Sequence, residues 1–139
     1  NLFMIMGWFS LLCGLLWGAV SDRIGRKYTL IILYLIHTIA FALFASHSDL
    51  SFTLSAILFG LTAWSIPAIM AAICGDLLGA ELAPAALGFI TLFFGIGQAV
   101  GPVVAGKIAD AAGSFSPVFW LAAAVAFLGA AGSLLLKQK

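Results

Sequence analysis

Gly18-Ala-Val-Ser-Asp22-Arg23-Ile-Gly25-Arg26-Lys27 lies between two long apolar runs. Charges and glycines packed this densely into so hydrophobic a chain mark a short, tight turn at a membrane surface. Backbone inside lipid must satisfy its own hydrogen bonds by forming helix, so the chain can turn only where water or headgroups begin. Asp22 and Arg26 are four residues apart and reach one another if the turn is helical. Gly25 is a position free to take positive φ. By charge alone, the same cluster also reads as an anchor that fixes topology and does nothing else.

The rest of the chain agrees with lipid as its solvent. Its 139 residues are 64% hydrophobic and 8% charged, with a mean hydropathy of +1.22. Soluble domains are nearer ~45–50% apolar and ~25% charged, so a water-soluble fold of this length could not bury the excess. A net charge of +1 leaves no electrostatic footprint for nucleic acid. Cys13 and Cys74 sit in separate apolar runs and read as small packing residues, since neither has the spacing or the companions of a metal or disulfide pair. No cofactor motif and no metal-ligand set is visible. The first residue is Asn and an apolar run begins at once. No signal peptide is recognisable, and the chain is expected to be truncated.

A hydrocarbon core of ~30 Å takes about 20 helical residues to cross. Five segments qualify, near residues 1–20, 28–46, 51–75, 84–107 and 116–136, and together they form one transmembrane domain over residues 1–139. The breaks at 21–27, 47–50, 76–83 and 108–115 carry Gly, Ser, Asp or Glu. Pro84 suits the first turn of the fourth segment, and Ser116 before Pro117 reads as an N-cap for the fifth. The fold class is all-α, a polytopic membrane protein with five transmembrane helices. Orientation follows Lys and Arg. Arg23, Arg26, Lys27, Lys137 and Lys139 fall on one side and only Lys107 on the other. The first turn and the C-terminus are therefore expected in the cytoplasm, and the 47–50 and 108–115 loops outside.

Gly18-x-Val20-Ser21-Asp22-Arg23-x-Gly25-Arg26-Lys27 resembles the loop signature of the major facilitator superfamily, G-x-L-a-D-R-x-G-R-K. In that family the loop joins the second and third helices of a six-helix half. Its Asp and Arg residues help hold the cytoplasmic gate closed, with the Asp meeting a helix of the opposite half. The resemblance implies that Asp22 is the gate carboxylate, that Arg23 and Arg26 are its partners, and that Gly18, Gly25 and Lys27 complete the loop.

A second string lies in the fourth segment, Gly88-x8-Gly97-x3-Gly101-Pro102-x2-Ala105-Gly106. It resembles the family's antiporter-type signature G-x8-G-x3-G-P-x2-G-G, with Ala105 in place of one Gly. Physically, Gly97 and Gly101 make a small-xxx-small face that another helix can approach closely. Pro102 cannot donate to the carbonyl of Gln98, so the helix can bend there. The order of the two strings fits helices 2–6 or helices 8–12 of a twelve-helix carrier. The third segment lacks the intramembrane Arg usual in family helix 4, and the chain ends in Leu-Leu-Leu-Lys-Gln-Lys. Both favour helices 8–12, most of a C-terminal half, in a texture closest to bacterial branches of the superfamily. The resemblance then implies a partial six-helix bundle in a cell (inner) membrane. Its partners would be the lipid bilayer, a small-molecule substrate and the missing N-terminal half.

Residues of the third segment supply the candidate substrate cavity. Thr62, Trp64 and Ser65 lie near mid-membrane beside Gly60 and Pro67, and Pro67 frees the carbonyl of Ala63. Hydroxyls, an indole donor and a bend at this depth suit a cavity. They suit equally a kinked packing helix whose hydroxyls bond to their own turn. Gln98 is the next polar candidate. His37 is the one ionisable side chain near the middle of a span, and it reads as a neutral imidazole bonded to a neighbouring carbonyl. Asp49, Asp76, Glu81 and Asp110 fall at or beyond helix ends as interfacial caps, with Asp76 placed to tie down the cytoplasmic end of the third segment. Gly7, Gly14 and Gly18 share one helix face and read as a packing seam. Trp17 suits the cytoplasmic interface, with Trp8 deeper.

Three functions compete. The first is a secondary carrier of a small solute working by alternating access, with H⁺ as the expected coupling ion, although no buried carboxylate lies in these spans to carry it. The second is a membrane-embedded enzyme, which needs convergent acids, bases or metal ligands; only His37 lies inside the bilayer, so no catalytic residue is assigned. The third is a non-transporting scaffold or interaction protein, against which the two signatures argue.

Overall fold

The computed structural model describes residues 2–46 and 48–136. Asn1, His47, Lys137, Gln138 and Lys139 lie outside the described residues, and with them two of the five positive residues that set the expected orientation. Five α-helices follow in order: α1 (Leu2–Ile24), α2 (Arg26–Ala45), α3 (Asp49–Thr62), α4 (Ser65–Ala112) and α5 (Ser116–Ser133). Among the described residues there is no strand.

Local chemistry explains each boundary. Gly25, at φ 90° and ψ 153°, takes a backbone conformation that a side chain disfavours. Its N–H still donates to Ser21 O at 3.0 Å and its carbonyl accepts from Thr29 N at 3.2 Å, so one residue ends α1 and starts α2. Ser48 caps α3 by accepting from Ser51 N at 3.2 Å, with Asp49 in the first turn where the helix dipole favours a carboxylate. Beyond Thr62 the regular pattern lapses over Ala63 and Trp64, whose dihedrals stay right-handed (φ −56°, ψ −45° and φ −87°, ψ −5°). This is a bend, placed where Pro67 denies a donor to the carbonyl of Ala63.

Helix α4 has 48 residues. At 1.5 Å per residue a straight helix of that length would run about 72 Å, more than twice a hydrocarbon core. Gly79 (φ 74°, ψ 173°) leaves helical geometry altogether and divides it into residues 65–78 and 80–112. The 64-residue stretch Asp49–Ala112 thus holds two crossings, and it joins α1, α2 and α5 as apolar and long enough to span a membrane. With that stretch long enough for two passes, the lengths accommodate the five expected crossings. Helical backbone resumes directly after Gly79, so Pro84 falls inside the second piece of α4 and not at its first turn.

The centre of the bundle is α2. Its most extensive contacts are with α5, then α3, while α1 runs along α3. Cys13 and Trp17 of α1, Leu30 and Leu33 of α2, and Ile69 and Ile73 of α4 form the core cluster. Two glycines mark the closest approaches. A Cβ on Gly60 would sit 2.7 Å from the Met6 carbonyl oxygen, and one on Gly129 would sit 2.9 Å from the Tyr34 ring. Helices α2 and α5 are tied at both ends, by Ser116 Oγ donating to Ala45 O at 2.9 Å and Lys27 Nζ donating to Leu134 O at 2.6 Å. Ser116 is therefore not the N-cap of α5. That position belongs to Phe115, which makes no side-chain cap bond, and the Ser116 hydroxyl is used between helices.

Much of the outward surface is apolar. Leu11, Leu15, Ile39, Phe93 and Leu128 are all exposed, as expected of a surface that meets acyl chains. In the second piece of α4, every residue from 91 to 104 is exposed and Ala109 alone is buried.

Candidate functional site

The charged turn folds into a compact network around Arg26. The first residue of α2, it sends Nη1 back to Asp22 Oδ1 at 2.7 Å and to Ser21 Oγ at 2.9 Å, both in the last turn of α1. Its Nε donates to Asp76 Oδ2 at 3.2 Å, near the end of the first piece of α4. One guanidinium, with its donors in a fixed fork, thus joins α1, α2 and α4. The next residue, Lys27, reaches the α5 terminus through Leu134 O, where orphan carbonyls and the dipole favour a cation. Two adjacent side chains gather the ends of four helices at one face of the bundle. Asp22 and Asp76 remain more than half exposed, so each carboxylate keeps open access on its outer side. Arg23 is exposed and forms no ion pair among the described residues. Of the loop residues singled out in the sequence, Asp22 and Arg26 come together and Arg23 does not join them. Asp76 joins them, as the tie its position allowed.

Above this network α1 meets the bend between α3 and α4 through two crossed hydrogen bonds. Trp17 Nε1 donates to Leu61 O at 2.8 Å, and Ser65 Oγ donates to Cys13 O at 3.1 Å. Trp17 is 9% exposed. Long aromatic side chains lean toward the N-terminus of their helix, which carries the indole up to the bend. No sequence signal pairs residues 44 apart. Between the crossed bonds and the Arg26 network lies an open cleft of about 270 Å³. Gly14 and Gly18 line one wall and Ala68 and Ala72 the other, with Asp22 and Arg26 at the foot.

Thr62, Trp64, Ser65 and Gln98 do not converge. Thr62 is 1% exposed and its hydroxyl donates to Leu58 O of its own helix at 2.8 Å. Ser65 is spent on Cys13, and only it of the four borders the cleft. Trp64 is 68% exposed and Gln98 is exposed on the second piece of α4. On that piece, a Cβ added at Gly88, Gly97, Gly101 or Gly106 meets nothing within 4 Å. The glycine face that includes Pro102 is therefore open within this chain. The Gly7, Gly14 and Gly18 face of α1 is equally free and is not a packing seam here. His37 is buried. Its Nδ1 donates to Leu33 O at 2.9 Å and its ring stands edge-on to Phe59 at 5.3 Å between centroids, a satisfied packing imidazole.

The sequence matches the model of one family across residues 1–139. The chain belongs to the Major Facilitator Superfamily. It is therefore a multi-pass membrane protein of a family of transporters, not enzymes. Among curated proteins it is 43% identical over 63 residues to "Monocarboxylate transporter 10" of Rattus norvegicus and 40% identical over 63 residues to the Homo sapiens protein of the same name. The aligned stretch is 45% of this chain and 12% of each relative, so the match spans a small part of those transporters' length. No solved structure matches the chain.

Proposed function

We propose that this chain is most of the C-terminal half, helices 8–12, of a secondary carrier that moves a small solute across the cytoplasmic membrane by alternating access. The observation that carries the reading is Arg26 bridging Asp22 and Asp76. A turn that binds three helix ends through exposed ion pairs moves as one body, yet it can exchange partners at low cost because such pairs are weak. That suits the rim of a gate, where a rocking half must make and break contacts on each cycle. In this reading the turn and the α5 terminus face the cytoplasm, and the Gly97 and Gly101 face of α4 receives the missing half. Trp64 and Gln98 border the solute path, while Thr62 and Ser65 shape the bend beside it.

The relatives' name points to small organic monocarboxylates as the first solutes to try, with H⁺ as the coupling ion. Among the described residues no Lys or Arg lies at the middle of a span, so the cation that would meet such an anion belongs to the rest of the carrier. The test is flux of a labelled monocarboxylate by the full-length protein in proteoliposomes, with and without a proton gradient. Arg26→Gln is expected to cut flux severalfold while membrane insertion persists. Unchanged flux would remove the turn from the mechanism. Absence of flux with a broad solute panel would favour a non-transporting scaffold, for which no feature of the site speaks at present.

A further inference from the structure

Residues 65–78 are supported unevenly. Ile69 and Ile73 pack in one cluster with Leu30 and Leu33 of α2 and with Cys13 and Trp17 of α1. An open cleft of about 270 Å³ separates Ala68 and Ala72 from Gly14 and Gly18 of α1, and a Cβ at either glycine would meet nothing within 4 Å. The piece therefore meets α1 through Ile69 and Ile73 on Cys13 and Trp17 and through polar ties at its two ends. The lower tie is the Arg26 network, which reaches Asp76 at 3.2 Å. The upper tie is the crossed pair, Trp17 Nε1 to Leu61 O and Ser65 Oγ to Cys13 O. Leu61 belongs to the last turn of α3, whose carbonyls lose their regular donors where a helix ends. The indole N–H supplies one. Above the bend α1 and α3 cannot shift, because Gly60 already lies against the Met6 backbone.

We propose that Trp17 and Ser65 are positioning residues whose crossed hydrogen bonds set the bend at Ala63 and Trp64 and thereby hold Asp76 within reach of Arg26. The bend itself specifies no direction. Ala63 and Trp64 both keep right-handed dihedrals that a small change would re-aim, and Pro67 has removed the backbone bond that would stiffen them. With only small residues facing one another across the cleft, packing along α1 is confined to Cys13 and Trp17, and the clasp sets the angle. A few degrees there becomes a shift of about 1 Å at Asp76, eleven residues after Ser65 (about 16 Å along a helix). This inference rests on the observed ion pair and stands whether or not that pair gates transport.

The test measures distances in the full-length protein in nanodiscs, by electron paramagnetic resonance, with Cys13 and Cys74 replaced by Ala. A lower spin-label pair at Ala19→Cys and Leu77→Cys reports the half-span against α1. An upper pair at Met4→Cys and Leu54→Cys reports the part above the bend and serves as the folding control. The expected result is one narrow distance for each pair. With Trp17→Phe, which keeps an aromatic ring and loses the N–H, the lower pair loses its single narrow population while the upper pair stays as it was. Ser65→Ala gives the same pattern more weakly. A lower pair that remains narrow in both variants overturns the proposal, as does broadening of both pairs together, which would make the residues general packing elements. Flux plays no part in this readout, so a failed clasp and a failed transport reading are separable.

Discussion

Residues 65–78 and residues 80–112 form one continuous helix apart from Gly79, yet their surroundings differ. The first piece buries Ser65, Ile69, Ile73 and Cys74 against α1 and α2, while the second buries Ala109 alone. Hydrophobicity does not separate them, since both are apolar. In lipid an apolar side chain gains nothing by leaving acyl chains for another helix. What distinguishes the first piece is the set of polar ties and close backbone approaches around it: Ser65 to Cys13, Arg26 to Asp76, and Gly60 of the preceding helix against Met6. The second piece carries the more glycine-rich face, with no helix of this chain set against it. A small-residue face allows close packing; a partner and a tie are needed to produce it.

The largest effect expected from this contrast comes from adding bulk to one glycine on each side of Gly79. Gly60→Leu would force atoms into a site where even a Cβ lies 2.7 Å from backbone oxygen, and overpacking of this kind costs about 1–3 kcal/mol or more. Gly101→Leu meets open space and is expected to change the stability of this chain by less than about 0.5 kcal/mol. Thermal unfolding of both variants in nanodiscs checks this. Equal losses would show that residues 80–112 are packed after all. In the full-length carrier the proposed docking of the missing half reverses the expectation for Gly101→Leu, which should then impair flux.

Charge gives the next pair. Arg26→Gln removes both ion pairs and the bond to Ser21. With the carboxylates 68% and 57% exposed, solvent screening holds the loss to about 1 kcal/mol. Glu81→Gln, on the exposed start of the second piece, should leave stability unaltered. Lys27→Ala tests the fourth helix end and should cost ~0.3–1 kcal/mol, the usual value of a cation at a helix C-terminus. Its effect should appear as fraying of the last turn of α5 in hydrogen exchange. Protection unchanged at Leu134 and its neighbours would mean that the Leu134 carbonyl does not depend on Lys27.

Local chemistry was legible in the sequence, and long-range pairing was not. The density of charge and glycine in residues 18–27 located the first turn, and Gly25 supplied its positive φ. Pro67 located the bend, and the place of Asp76 at a helix end made it a candidate tie. The bond of Trp17 was not legible, because its partner is 44 residues away. Lys27 finds Leu134 across 107 residues, a pairing that only the antiparallel contact of α2 with α5 creates. Thr62, Ser65, Trp64 and Gln98 looked alike as polar groups at mid-membrane depth. Rotation about each helix axis, which composition does not encode, sends two of them to backbone carbonyls and two to the outside.

The smallest effect separates two threonines with the same local bond. Thr62 Oγ1 donates to Leu58 O and Thr91 Oγ1 to Leu87 O, both at 2.8 Å and both four residues back. Thr62 is buried beside the bend, whereas Thr91 is exposed on the second piece. Valine keeps the branched shape and removes the hydroxyl. The carbonyl it leaves still has its helical N–H donor, so no buried group is orphaned and each substitution should stay within about 0.5 kcal/mol. Flux then decides what stability cannot. A hydroxyl committed to its own turn and 1% exposed has nothing to offer a solute, so Thr62→Val should transport normally. If Thr62→Val instead lost flux at full stability while Thr91→Val kept it, the hydroxyl must rotate away from Leu58 during the cycle, and Thr62 would belong on the solute path.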